Sequence, residues 1–205
     1  MILLVGVGAA ASARPQSPPA SDPKPRPDLV RAPYSDADVQ FMAGMIPHHA
    51  QAVVMAGMAK SHDASPALQM MCERMLISQR DEIEYMRNWL RDRAQIVPPS
   101  DATHHKMKHG EMEHEMLMPG MLTPEEMAAL DKARGAAWDR LFLLGMIKHH
   151  EGALKMVDDL FETHGALQDD DLFKFASDIY ADQQAEIERM EKMLDTSARK
   201  GAEKR

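Results

Sequence analysis

The chain has 205 residues, of which 44% are hydrophobic and 27% charged, values typical of one soluble globular domain with or without a tail. Its formal net charge of -8 argues against nucleic acid as a partner, because a polyanion repels an acidic protein. The single cysteine, Cys72, excludes an internal disulfide framework and makes zinc-finger or iron–sulfur sites implausible, since those need several thiolates.

The N-terminal segment 1–13 is apolar and ends in Ala-Ser-Ala, the small-x-small pattern that signal peptidases cleave. It is too short to span a bilayer, and no later run of the sequence approaches that length. Residues 14–34 are dense in proline, serine and charge, which predicts a disordered linker. The sequence therefore predicts an exported protein, periplasmic or secreted, whose mature form has no membrane span.

After the linker the chain repeats itself. Residues 41–55 and 142–156 share a phenylalanine, a glycine, a methionine, an isoleucine, a His-His doublet, an alanine and a final methionine. Further on, residues 79–86 and 183–190 share the pattern Gln-x-x-Glu-Ile-Glu-x-Met. The spacing between the copies is nearly constant, so each half of the chain contains the same two-segment unit.

Each segment has the signals of a helix. Ser35 with Asp38, and Thr123 with Glu126, have the pattern of a capping box, and apolar residues then recur with helical spacing. Pro98-Pro99 predicts the end of the second helix. The sequence therefore predicts an all-α fold, an antiparallel four-helix bundle built from two tandem helical hairpins. The predicted parts are hairpins at 35–95 and 124–195, a His/Met-rich loop at 100–122 and a charged tail at 196–205.

The chain is rich in two metal-ligating residue types, with 19 methionines and 10 histidines. A single histidine on an apolar helix face is usually a hydrogen-bonded core residue, but this chain has two doublets at matched positions, each flanked by methionines. Buried imidazoles without partners would cost about 1–3 kcal/mol for each unsatisfied group, and a metal ion supplies the missing partner. The predicted ligands in the bundle are His48, His49, Met45, Met55, His149, His150, Met146 and Met156.

The choice of metal follows from the softness of these ligands. Thioether and neutral imidazole, without thiolates, favour Cu(I) and the chemically similar Ag(I) over Mg²⁺, Ca²⁺ or Mn²⁺. The sequence therefore predicts copper(I) and silver as the bound ions, and another copper-handling protein is a candidate partner.

A second group of soft ligands lies between the two predicted hairpins. Because it has no sustained apolar face, packing in a core explains it poorly, and a His-rich tract is typical of metal binding. A merely polar interdomain loop is the alternative. The candidate ligands here are His104, His105, Met107, His109, Met112, His114, Met116, Met118 and Met121.

Two other functions are compatible with the sequence. Glu82 and Glu186 occupy matched positions, and with the histidines they could form the dinuclear metal site of a ferritin-like oxidase. The Glu-x-x-His motif typical of such sites is absent, however, so interhelical hydrogen bonding or a solvated face is favoured for both carboxylates. The other alternative is a helical interaction module whose histidines and methionines only pack. No catalytic motif is apparent, and metal storage or transfer requires no catalytic step.

The paired Gly-Met-Ile-x-His-His-x-x-Ala segments (44–52 and 145–153), together with the Gln-x-x-Glu-Ile segments, closely resemble the bacterial domain-of-unknown-function family 305. The resemblance covers residues 35–195. It implies a ferritin-like four-helix bundle, the fold of that family. The family includes periplasmic copper-binding proteins of the CopM type that are associated with copper tolerance. It also implies that the two histidine doublets are ligand positions, with the flanking methionines beside them.

Overall fold

The computed structural model describes residues 32–103, 105–109 and 112–203. The predicted signal peptide, and the predicted linker up to residue 31, lie outside the described residues. The elements are α1 (Asp36–Gly57), α2 (Pro66–Asp92), β1 (His105–His109), β2 (Met112–Met116), α3 (Pro124–Lys132), α4 (Gly135–Glu162) and α5 (Asp170–Glu203). In the described part of the chain, four long helices pair as α1 with α2 and α4 with α5, and α1 packs against α4.

The predicted all-α bundle of two tandem hairpins is therefore confirmed. Both predicted capping boxes form, and at the first of them the Ser35 backbone N–H donates to the Asp38 carboxylate at 2.7 Å. The other oxygen of that carboxylate accepts from the Leu167 N–H at 2.9 Å, which ties the start of α1 to the loop between α4 and α5. None of the helices in the described ranges combines the length and apolarity that a bilayer-crossing segment needs.

The bundle interior contains two hydrophobic clusters. One includes Met45 and Met156, and the other includes Met55, Met146 and the buried Cys72. On both α1 and α4 the histidine doublet falls between the stretches of helix that feed the two clusters. The repeat thus places a polar layer between two apolar ones.

Two segments depart from the sequence-based prediction. Within the predicted loop 100–122, β1 and β2 pair as a short antiparallel hairpin. In both strands, histidine or methionine alternates with a charged residue, lysine in β1 and glutamate in β2. This period of two is that of a strand, but a search for apolar periodicity does not detect it. Helix α5 also continues to Glu203, past the predicted end at residue 195 and through most of the predicted charged tail.

A short segment after the hairpin, residues 118–122, crosses the bundle where α1 and α4 meet; we call it the strap. The Gln51 side-chain amide makes two hydrogen bonds to the strap. Its Nε2 donates to the Leu122 carbonyl at 3.0 Å, and its Oε1 accepts from the Leu122 N–H at 2.7 Å. On the other side, Gly120 has φ +77° and lies against Gly152. Gln51 and Gly152 occupy equivalent positions of the repeat, so the strap breaks the symmetry of the two halves.

We expect Gly152→Ala to destabilise the protein, because a Cβ there would lie 2.0 Å from the Pro119 carbonyl oxygen. The obstacle is backbone, so the strap must move, and overpacking of this kind costs about 1–3 kcal/mol. Gly57→Ala is the matched control, since nothing lies within 4 Å of its added methyl group and alanine is the better helix former. Urea unfolding of both variants measures the difference. Equal stabilities would contradict the close contact between the strap and α4.

Candidate metal centre

His48 on α1 and His149 on α4 meet at the middle of the bundle, with ring centroids 3.8 Å apart. Both side chains are buried. The Nε2 of His149 donates to the His48 carbonyl at 3.0 Å, and the Nε2 of His48 donates to the Pro119 carbonyl at 3.0 Å. A carbonyl oxygen can only accept, so in both rings Nε2 carries the proton. The Nδ1 of each neutral ring is therefore a free lone pair.

The other histidine of each doublet faces the second helix of its own hairpin. His49 Nε2 donates to Glu82 Oε2 on α2 at 2.6 Å, and His150 Nε2 donates to Glu186 Oε2 on α5 at 2.7 Å. A carboxylate on the far nitrogen fixes the tautomer and orientation of a ligating imidazole and raises its basicity. The interhelical hydrogen-bonding role favoured by the sequence is thus the one that Glu82 and Glu186 have.

All four Nδ1 atoms are buried, and none has a hydrogen-bond partner among the residues that the structure describes. Buried polar atoms without partners are rare in folded proteins, and each costs about 1–3 kcal/mol. Four of them occur at matched positions of the repeat, two on α1 and two on α4. A cation that prefers nitrogen ligands would be a suitable partner for a lone pair of this kind.

The protonation state of the central pair suits metal binding. Burial lowers the pKa of His48 to about 3, with a further lowering by the neighbouring His49, and burial also lowers the pKa of His149 well below 6.5. Both rings are therefore neutral at pH 7. A ligand that is already deprotonated binds a cation without having to release a proton.

The methionines predicted as ligands are buried around this layer: Met45, Met55 and Met146 fully, and Met156 with 7% exposure. Glycine backbone gives two of them room, because the Met156 methyl lies 3.7 Å from where a Cβ of Gly44 would be and the Met55 methyl 3.4 Å from the same point at Gly145. Each glycine is one turn before a central histidine. Imidazole nitrogen and thioether sulfur together fit a soft cation.

Within the described ranges, no three side chains among histidine, cysteine, aspartate and glutamate group as metal ligands. A metal centre in this layer would need methionine sulfur beside imidazole nitrogen. Its carboxylates contact the imidazoles rather than forming a cluster of their own.

The ligands predicted between the hairpins are distributed over three places. His104 lies outside the described residues. Met118 and Met121 belong to the strap, where Met121 is buried and Met118 is half-buried with its methyl at the Gly44 backbone. The remaining candidates lie on the two strands, namely His105, Met107, His109, Met112, His114 and Met116.

Several residues that shape the centre were not predicted from the sequence. The Pro119 carbonyl and Gln51 act through the strap, whose path depends on tertiary packing and leaves no local signal. Gln79 and Gln183 are buried at matched positions, and their Oε1 atoms have no hydrogen-bond partner within the described structure. The repeat does contain a signal for the two glutamines. Each is the first residue of a Gln-x-x-Glu pattern whose glutamate, Glu82 or Glu186, bonds to a histidine.

Solved structures similar to this chain include metal-bound ones. CopM in its Cu(I)-bound form is 27% identical, with a TM-score of 0.58 over 78% of this chain and 96% of CopM. CopM is also similar in its Cu(II)-bound, Ag-bound and apo forms. A DUF305 fragment from Deinococcus radiodurans is 26% identical, with a TM-score of 0.64 over 80% of this chain and 99% of the fragment.

A DUF305 protein from Streptomyces coelicolor has the same fold, with a TM-score of 0.65 at 23% identity over 79% of this chain and 94% of that protein. None of the curated protein sequences matches the chain. The model of the family described as "Domain of unknown function (DUF305)" matches residues 38–194, which is most of the chain. With the doubled histidine motif inside a four-helix bundle, the chain belongs to the DUF305 family.

Proposed function

We propose that the chain binds Cu(I), and equally Ag(I), and sequesters or transfers these ions outside the cytoplasm, contributing to copper homeostasis or tolerance. One observation carries the proposal. Four buried imidazoles each use Nε2 to donate to an oxygen, and this leaves four buried Nδ1 lone pairs without a partner among the described residues. A bound cation would supply the partner that these lone pairs lack.

The ligand chemistry supports a soft monovalent ion. Neutral imidazole and thioether carry no charge, so they leave one buried positive charge uncompensated with a monovalent cation and two with a divalent cation. Thioether sulfur also prefers Cu(I). The solved Cu(I)-bound and Ag-bound forms of CopM, at 26–27% identity, support the same choice. In this proposal His48, His49, His149 and His150 bind the ions with Met45, Met55, Met146 and Met156.

The site also fits an exported protein that passes its ion to a partner. Thioethers do not oxidise to disulfides, so a centre without cysteine ligands remains competent in an oxidising compartment. The apolar N-terminal segment with its Ala-Ser-Ala sequence supports export through a signal peptide. The partner would be another copper-handling protein.

Metal titration of the purified chain tests the proposal. We expect Cu(I) and Ag(I) to bind and to raise the unfolding temperature, because a ligand that binds only the native state stabilises it by about 2.7 kcal/mol at a hundred times Kd. Two bound irons per chain with redox turnover would instead favour the dinuclear oxidase. Absence of any stabilisation by either soft ion would favour the interaction module and overturn the proposal.

A further inference from the structure

The hairpin formed by β1 and β2 sorts its residues by chemistry. In the observed register, His105 is opposite Met116, Met107 is opposite His114, and His109 is opposite Met112. The intervening positions pair Lys106 with Glu115 and Lys108 with Glu113. Every pair at the first set of positions thus joins a histidine to a methionine, and every pair at the second set joins a lysine to a glutamate.

A strand alternates between the two faces of its sheet, and directly opposite residues share a face. All three His–Met pairs therefore belong to one face of the hairpin, and both Lys–Glu pairs belong to the other. A register shifted by one residue would place histidine and methionine opposite charged residues instead. The sequence pattern and the register therefore agree on a face made only of soft metal ligands.

We propose that this face is a second soft-metal site, in which Cu(I) or Ag(I) is held across the strands by His–Met pairs. Opposite residues of an antiparallel pair have Cβ atoms about 4.5–5.5 Å apart, which lets one ion be shared by an imidazole and a thioether from the two strands. The choice of ion rests on the function proposed above, but the site is separate from the histidine layer of the bundle. The ligands between the two helical hairpins are then the six strand residues, whereas Met118 and Met121 belong to the strap.

Metal binding would also explain why such a sequence pairs as strands. Lysine and glutamate are depleted in strands, and a two-stranded hairpin alone is marginally stable in water. Opposite charges on facing strand residues add only a small stabilisation to such a pair. An ion bound by both strands links them directly, so we expect Ag(I) to increase protection of the backbone amides of β1 and β2 from hydrogen exchange.

The test uses two variants of the full chain that have the same composition as the parent. The first shifts the β1 ligands to the charged face by Lys106→Met, Met107→Lys, Lys108→His and His109→Lys. It leaves one His–Met pair in place, His105 with Met116. The second, His105→Met with Met116→His, exchanges a histidine and a methionine within one pair and keeps both on the same face.

Bound Ag(I) is counted by equilibrium dialysis with elemental analysis. We expect the face-shifted variant to bind at least one ion fewer than the parent and the exchanged variant to bind the same number. Equal binding by the parent and the face-shifted variant would overturn the proposal, because the residues would then bind by composition alone; loss in both variants would overturn pairing as the basis of the site. Loss of the bundle ions in a His48 and His149 variant, with the hairpin ions retained, separates this outcome from a failure of the proposed function.

Discussion

Replacing His48 and His149 together by leucine is expected to abolish ion binding in the bundle while leaving the metal-free fold within about 2 kcal/mol of the parent. Each substitution removes a buried Nδ1 that has no partner in the described structure, which offsets the loss of the Nε2 hydrogen bond to a carbonyl. At a thousand times Kd the parent gains about 4 kcal/mol from its ligand, and this gain should disappear. Thermal unfolding with and without Ag(I) measures both effects.

His62 provides the matched control, because it is a buried histidine outside the centre. Its Nε2 donates to the Asp131 carbonyl at 2.9 Å and its Nδ1 can accept from the Ser61 hydroxyl at 2.9 Å, so both ring nitrogens have partners. His62→Leu should therefore lower the stability of the metal-free protein and leave ion binding intact. If the double variant binds as many ions in the bundle as the parent at the same affinity, the assignment of the centre is wrong.

The bundle itself could be predicted because its signals are local. Ser35 and Thr123 open their helices through side-chain bonds to residues three positions away, and the doubled motif makes the pairing of the halves visible in the sequence. A helix also places Met45 and His48 on one face whatever the tertiary structure does. These features need no knowledge of which segments meet across the bundle.

The asymmetry of the centre could not be predicted, because it depends on a long-range contact. In a perfect repeat His48 and His149 would make equivalent bonds, yet His149 donates to the other histidine's carbonyl and His48 donates to the strap. The cause is Gly152, which lets the strap approach α4 where the equivalent Gln51 grips it from α1. A glycine within a helix has several explanations in the sequence alone, and only the packed structure distinguishes them.

For the two carboxylates, the sequence predicts the matched positions but not the contacts that the side chains make. Glu82 and Glu186 were visible as a matched pair, but helical periodicity alone does not tell whether a carboxylate faces an ion, an imidazole or solvent. Hydrogen bonds of 2.6 and 2.7 Å to the outer histidines place them behind the imidazoles. In that position they would act on a bound ion through the ring, as positioning residues.

We therefore expect Glu82→Gln combined with Glu186→Gln to weaken Cu(I) binding by about 10- to 100-fold, the usual effect of losing a carboxylate behind a ligating histidine. Glutamine can donate its amide N–H to Nε2, which moves the imidazole proton to Nδ1 and removes the lone pair that would bind the ion. Competitive titration with a Cu(I) chelator measures the affinity, and nitrogen-15 NMR of the metal-free protein reports the tautomer of His49 and His150.

Glu84→Gln is the control on the same helix, because its side chain is exposed and its ion-pair partner is Arg87 rather than a histidine. It should bind Cu(I) as the parent does, with the histidine tautomers unchanged. A merely structural role for Glu82 and Glu186 would lower stability without altering the tautomers or the affinity. Parent-like affinity in the double variant with the proton moved to Nδ1 would mean that the outer histidines do not bind the ion. The centre would then consist of His48, His149 and methionine sulfur alone.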